Sequence, residues 1–336
     1  MSISHSPAAS AKQALIAVVG AGAWGTALAW LLANNYHPVR LWTRRAAHAQ
    51  TLQETRENAA YLPGLRLPER ISVTSDLTEA LAGCAACVVA IPSKGLREVL
   101  TALPDAPLYI SVSKGIEVGT FERLSSIIAA HKPGVPIAVL SGPNLAREIA
   151  AGKPAATTVA SGDAEVAQTV QRYFNQPTFR VYTSSDVVGV EIGGAMKNII
   201  ALAAGMSDGL ALGDNAKAGI ITRGLAEIVR LGTHMGGQPR TFYGLAGLGD
   251  MIATCASRSS RNHTAGERLA HGATLQALEA SQLTAEGIPT VKAVHDYAQQ
   301  HGLELPITSE VYRVIYQGKA PQLALRDLML RQLKAE

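Results

Sequence analysis

Cysteine, clustered charge and a leader pattern are what this 336-residue sequence has least of. Three cysteines are too few for a disulfide framework in a chain of this length, which fits a reducing compartment and makes the cytoplasm the expected location. Cys84 and Cys87 form a C-x-x-C at the start of the apolar run Cys87–Ile91, where a small buried hydrophobe is the ordinary role of a free thiol. No second pair exists to complete a zinc site, and no metal is expected. The 30 Lys and Arg exceed the 26 Asp and Glu by only four, and they are scattered through the chain. This excludes the basic stripe of a nucleic-acid binder, while a mild positive balance suits an anionic small ligand as well as an ordinary solvated surface. The first dozen residues lack the charged segment and apolar core of a signal peptide, so residues 1–13 are expected to form a disordered tail. No apolar run approaches the roughly 20 residues that span a bilayer, and no membrane insertion is expected. No internal repeat or low-complexity segment stands out.

What is present is enough apolar sequence, 47%, to fill two cores. From Leu15 to about Thr183, short apolar runs alternate with amphipathic stretches: Leu15–Val19, Val39–Thr43, Ile71–Val73, Cys87–Ile91, Leu108–Val112, Ile137–Leu140, Thr157–Ala160 and Phe179–Tyr182. Such alternation predicts a mostly parallel, doubly wound α/β sheet, with room for antiparallel pairing among the last strands. After about Asp186 the pattern becomes long helical segments, Val190–Met206, Ala216–Met235, Thr290–His301 and Ser309–Gln317. The expected division is therefore 14–188 as a nucleotide-binding α/β domain and 189–336 as an all-helical substrate domain, joined by a long helix.

The first run ends in Gly20–Ala21–Gly22–Ala23–Trp24–Gly25, a G-x-G-x-x-G between a predicted strand and a predicted helix. In this context Gly20 permits the tight turn, Gly22 lets the backbone approach a pyrophosphate and Gly25 lets helix and strand pack closely. The N-terminal half thus reads as a Rossmann-type dinucleotide site. An NAD-preferring site places a carboxylate at the end of the second strand, but here stand Arg44 and Arg45. Two guanidinium groups suit a 2′-phosphate, which predicts NADP in preference to NAD; the alternative is that both simply face solvent.

Three more strand ends, Ile91–Pro92–Ser93, Ser113–Lys114–Gly115 and Ser141–Gly142–Pro143–Asn144, fall on the edge where open α/β sheets bind ligands. In the helix Glu191–Leu202, apolar almost all round, Lys197 and Asn198 are the polar interruption. A lysine buried in this way loses solvation, which lowers its pKa toward neutrality and fits it for acid and base work. The alternative is a structural ion pair with Asp250 or Glu191. Gly193 and Gly194 share the Lys197 face and are expected to leave space for a ligand. Gly244–Asp250 would bring backbone near a ligand with an aspartate to orient a lysine, and Ser260, Arg261 and Asn262 offer a fixed cation and donors for a phosphate. Taken alone, these last residues would equally make an ordinary polar loop.

Taken in order, Gly-Ala-Gly-x-Trp-Gly-Thr-Ala, Ser113–Lys114–Gly115, Ser141–Gly142–Pro143, Gly194–Ala195–Met196–Lys197–Asn198, Gly205–Gly209, Gly247–Leu248–Gly249–Asp250 and Ser260–Arg261–Asn262 make the chain resemble sn-glycerol-3-phosphate dehydrogenases of the bacterial NAD(P)-dependent type, from about Ile16 to Tyr316. The resemblance implies reversible reduction of dihydroxyacetone phosphate to sn-glycerol 3-phosphate for phospholipid synthesis, by a homodimer. It implies Lys197 as proton donor and acceptor with Asp250, Asn198 and Lys114 around it, Ser260, Arg261 and Asn262 on the substrate phosphate, and Gly142 and Asn144 near the substrate. For the cofactor it implies Ala23, Trp24, Arg44, Arg45, Lys114, Ala146, Arg261 and Glu286. The sequence departs from the usual pattern at Ala23, where Ser is common, at Asn144, where Ser or Thr is common, and at Thr284 and Ala285, where branched apolar residues are usual. Rival readings are a β-hydroxyacid dehydrogenase that grips a carboxylate and a non-catalytic nucleotide sensor.

Overall fold

The computed structural model describes residues 13–281 and 285–333, so all but the last residue of the expected tail, and Thr284, lie outside the described residues. The first half begins β1 (Ile16–Val19), α1 (Ala23–Asn34), β2 (Val39–Trp42), α2 (Ala46–Thr55), β3 (Glu57–Asn58), β4 (Leu62–Arg66), β5 (Ile71–Thr74) and α3 (Leu77–Leu81). It continues with β6 (Ala86–Val89), α4 (Leu96–Ala102), β7 (Tyr109–Ser111), α5 (Leu124–His131), β8 (Ile137–Ser141), α6 (Ala146–Ala150), β9 (Ala155–Ala160), α7 (Ala164–Phe174) and β10 (Phe179–Ser184). Eight of these strands form one sheet in the order β10-β9-β8-β7-β6-β1-β2-β5. All neighbours run parallel except β8 and β9, the antiparallel pairing expected among the late strands. The central strands β1, β6 and β7 are buried along their whole length because helices cover both faces, which is why they read as unbroken apolar runs.

The pattern did not reveal β3 and β4, a short antiparallel hairpin. Its Leu62 and Leu65 pack under Ala27 of α1, with Trp24 and Ala146 against the same cluster. The hairpin therefore braces the helix that follows the glycine-rich turn.

Beyond β10 the described elements are helical: α8 (Val187–Gly209), α9 (Gly213–His234), α10 (Pro239–Phe242), a π-type turn (Leu245–Gly249), α11 (Asp250–Ala256), α12 (Arg261–Ala270), α13 (Leu275–Ala280), α14 (Gly287–His301), α15 (Pro306–Gln317) and α16 (Pro321–Met329). By length and composition α8 would pass as a membrane span, although polar residues interrupt it, and 89% of its most apolar window is buried inside the protein. It is the central post of the helical half, packed against α9, α11, α12 and α14. Its carboxylate Glu191 reaches back to the other half, accepting from the Ser125 amide at 2.9 Å and from Arg123 at 2.6 Å. That partnership removes Glu191 as a counter-ion for Lys197.

The contact between α8 and α12 is close along two glycines. A Cβ on Gly205 would stand 2.0 Å from the His263 carbonyl oxygen, and one on Gly266 2.1 Å from that of Leu202. Backbone meets backbone there, so neither position has room for a methyl group. Gly205→Ala should lower unfolding free energy by about 1–3 kcal/mol, read as a reduced midpoint in urea; an unchanged midpoint would contradict this packing.

Candidate active site

The glycine-rich turn assigns each glycine a separate task. Gly20 sits at φ +117°, and a Cβ there would lie 2.4 Å from the Ala90 carbonyl oxygen. A Cβ on Gly25 would fall 1.8 Å from the Gly20 oxygen, so both residues are fixed by close packing. Gly22 faces open space, and no side chain caps α1 at that end. An uncapped helix N-terminus beside a side-chain-free residue fits a pyrophosphate. Ala23 and Trp24 open the helix, with the Trp24 indole nitrogen buried and unpartnered among the described residues. Arg44 and Arg45 stand exposed just past β2, and neither guanidinium has a hydrogen-bond or ion-pair partner among the described residues. Two free guanidinium groups fit the 2′-phosphate of an NADP-type cofactor.

Across the sheet, the ends of β6, β7 and β8 meet the helical half. Lys114, after β7, donates to the Gly142 carbonyl at 2.9 Å and to Asp250 Oδ2 at 2.6 Å. Asp250, the first residue of α11, gives its other oxygen to Lys197 Nζ of α8 at 3.0 Å. One carboxylate thus bridges two ammonium groups, and it is itself 2% exposed. Lys197 also donates to Thr254 Oγ1 at 2.6 Å, and that hydroxyl donates to the Asp250 carbonyl at 2.6 Å. Burial pulls the Lys197 pKa from 10.5 down to about 8; Asp250 opposes the shift and Lys114 adds to it. The sequence offered no signal for Thr254, because one hydroxyl in a helix carries none until its lysine partner is in place.

The ligand space expected at Gly193 and Gly194 is taken by the protein itself. A Cβ on Gly194 would stand 2.4 Å from Ser141 Oγ, and one on Gly193 2.9 Å from the Ala246 carbonyl. Gly247 in the π-type turn is likewise closed by the Phe242 carbonyl, at 2.1 Å from a Cβ. These glycines bring β8 and the turn close enough to α8 for Asp250 to reach Lys197. Gly142 is tight against Thr157, and Asn144 donates to Thr157 Oγ1 at 2.9 Å while its own carbonyl oxygen is buried without a partner among the described residues.

The last group gathers at the start of α12. Ser260 is the N-cap, accepting from the His263 amide at 3.2 Å, and Arg261 is exposed on the first turn. Asn262 donates to Asn198 Oδ1 at 2.9 Å and accepts from the Gly287 amide at 2.9 Å, which ties α8, α12 and α14 together. Glu286, just before α14, accepts from Ser93 at 3.0 Å and has its carboxyl pKa raised by burial, against the pull of Ser93 and Arg261. Ser93 also lies 3.4 Å from a Cβ on Gly115, so the β6 and β7 ends converge with α14. Ala146 opens α6 and packs beside Trp24 on the hairpin cluster. The arrangement offers a poised acid and base, a helix N-terminus with an arginine for an anion, and a glycine-rich cradle for a dinucleotide.

Two family models cover this architecture: the NAD-dependent glycerol-3-phosphate dehydrogenase N-terminus over residues 15–167 and its C-terminus over residues 186–326. Glycerol-3-phosphate dehydrogenase [NAD(P)+] of Thermus thermophilus is 51% identical over 322 residues, spanning 96% of this chain and 99% of the relative. That of Geobacillus thermodenitrificans is 50% identical over 329 residues, 96% of each chain. The crystal structure of glycerol-3-phosphate dehydrogenase from Coxiella burnetii superposes with a TM-score of 0.90 at 37% identity, covering 95% of this chain and 99% of that one. With an N-terminal dinucleotide cradle, a helical half and relatives matched along nearly their full length, this chain belongs to the NAD-dependent glycerol-3-phosphate dehydrogenase family.

Proposed function

We propose that this chain is an NAD(P)-dependent oxidoreductase that reversibly reduces dihydroxyacetone phosphate to sn-glycerol 3-phosphate, with NADPH preferred over NADH, and so supplies glycerophospholipid synthesis. Residues 14–188 would hold the cofactor and residues 189–336 the substrate. The observation that carries the reading is Lys197: a buried ammonium with a pKa near 8, clasped by Asp250 and Thr254. The glycine-rich turn, Trp24, Ala146 and Glu286 would hold a nicotinamide cofactor, whose chemistry when bound would be hydride transfer to a carbonyl carbon. As the carbonyl oxygen gains negative charge, Lys197 neutralises it and delivers a proton; in reverse, the neutral amine takes the hydroxyl proton. Asp250 would hold Lys197 and Lys114 in position through its two oxygens, while Asn198, Gly142 and Asn144 would border the same space. Ser260, Arg261 and Asn262 would grip the phosphate, the main handle on a three-carbon substrate. Three buried free thiols suit a cytoplasmic location, and a homodimer goes with the family reading.

The test is NADPH oxidation by the purified protein with dihydroxyacetone phosphate, repeated with NADH and with unphosphorylated dihydroxyacetone. Rapid oxidation that needs the phosphate is the expected result; activity on a hydroxyacid or its keto form instead would move the reading to a carboxylate-gripping dehydrogenase. Lys197→Ala should cut kcat by about 10²–10⁴-fold with little change in cofactor Kd, and a variant that keeps substantial turnover would remove Lys197 from the chemistry. Because reduction needs the ammonium and oxidation the free amine, the reduction rate should fall, and the oxidation rate rise, as pH climbs through about 8. Profiles in the two directions that move together would contradict the assignment.

A further inference from the structure

Next to the two free arginines lies a histidine that the reading above leaves unused. His48 stands on the first turn of α2, with its Nδ1 2.9 Å from Thr43 Oγ1 and its Nε2 3.3 Å from Asn58 Oδ1. Asn58 is 1% exposed, and its amide nitrogen is committed to the Ala21 carbonyl at 2.9 Å and to Thr26 Oγ1 at 2.7 Å. With both amide hydrogens engaged, Asn58 presents only an acceptor to the ring. The neutral imidazole must then carry its proton on Nε2, leaving Nδ1 to accept from the Thr43 hydroxyl. Both ring nitrogens are fixed, one to the residue before Arg44 and the other, through Asn58, to the glycine-rich turn.

We propose that His48 is a specificity-determining residue for the cofactor: a third cation beside Arg44 and Arg45 that strengthens the hold on a 2′-phosphate as pH falls. The inference rests on the NADP reading of those two arginines. Protonation turns Nδ1 into a donor, so Thr43 Oγ1 becomes an acceptor and its hydroxyl proton must seek another oxygen. At this strand end a phosphate provides one, so a single protonation adds a charge and releases a donor. The charged and titratable groups on the surrounding elements are Arg44 and Arg45 before α2, Glu54 within it, Glu57 and Arg66 on the hairpin, and Tyr61, whose ring centroid is 5.6 Å from the imidazole. Glu57 accepts from the Gly64 amide at 2.8 Å, and no carboxylate bonds to His48 among the described residues.

The test is calorimetric binding of NADP⁺ and NAD⁺ at about pH 6 and about pH 8 to the unmodified protein, to His48→Gln and to the double variant Arg44→Ala, Arg45→Ala. Glutamine keeps a donor toward Asn58 but cannot take up charge. The 2′-phosphate itself titrates near pH 6, a change common to both proteins that cancels in the comparison. The expected result is a preference for NADP⁺ about three- to fivefold greater in the unmodified protein than in His48→Gln at the lower pH, equal preferences at the higher pH, and the same NAD⁺ affinity throughout. Equal preferences at both pH values would overturn the inference while the double variant still lost its preference, leaving the NADP reading intact. A His48→Gln protein that lost NAD⁺ and NADP⁺ affinity equally would overturn it as well, since the residue would then act only through the glycine-rich turn. No preference in the unmodified protein, with the double variant unaltered, would remove the NADP reading and this inference together.

Discussion

A carboxylate between two ammonium groups is the interaction on which the site depends. Asp250 receives Lys114 from the end of a sheet strand and Lys197 from the middle of α8, each through a separate oxygen. Burying Lys197 without a counter-ion would cost several kcal/mol, so its position inside α8 is tenable only with Asp250 and Thr254 in reach. The same clasp joins the two halves of the chain, Lys114 after β7 to Lys197 of α8. Structure and proposed chemistry therefore use one charge balance: the lysine is neutral enough to take a proton near pH 8 and charged enough to give one below it.

Reaching that geometry requires backbones closer than side chains ordinarily allow. Along α8, Gly193 and Gly194 admit the turn before Asp250 and the end of β8, while Gly205 and Gly209 admit α12. Each glycine weakens the helix by about 1 kcal/mol relative to alanine, and burial on all sides makes up the loss. Because α12 begins with Ser260, Arg261 and Asn262, its contact with α8 also sets how far the proposed anion-binding turn stands from Lys197. Asn262, held by Asn198 and Gly287, carries that spacing on to α14 and Glu286.

Much of this was legible beforehand, for reasons that differ residue by residue. The central strands β1, β6 and β7 appear as unbroken apolar runs because helices bury both their faces, and the outer strands of the main sheet keep enough apolar positions to be read as well. The β3–β4 hairpin was missed because its strands are short and carry Pro63 and Gly64, which read as a turn. The tight turn at Gly20 and the close packing at Gly25 were legible since both follow from local geometry between a strand and a helix. Gly193, Gly194 and Gly247 were read as openings for a ligand, yet the protein fills each one. A sequence shows that space is needed but not what enters it.

The sequence by itself determined the order of elements, the dinucleotide cradle and a buried lysine in need of a partner, because these depend on periodicity and on neighbours a few residues away. Tertiary structure decided which carboxylate that partner is. Asp250, already expected to orient a lysine, and Glu191 were both open as ion-pair partners until the fold spent Glu191 on Arg123 and Ser125 and set Asp250 against Lys197, 53 positions apart in the chain. It also decided that Thr254 belongs to the site and that His48 links Thr43 to the glycine-rich turn. Hydrogen bonds of that kind depend on separations of about 3 Å between residues that no local pattern relates, and only a closed fold fixes them.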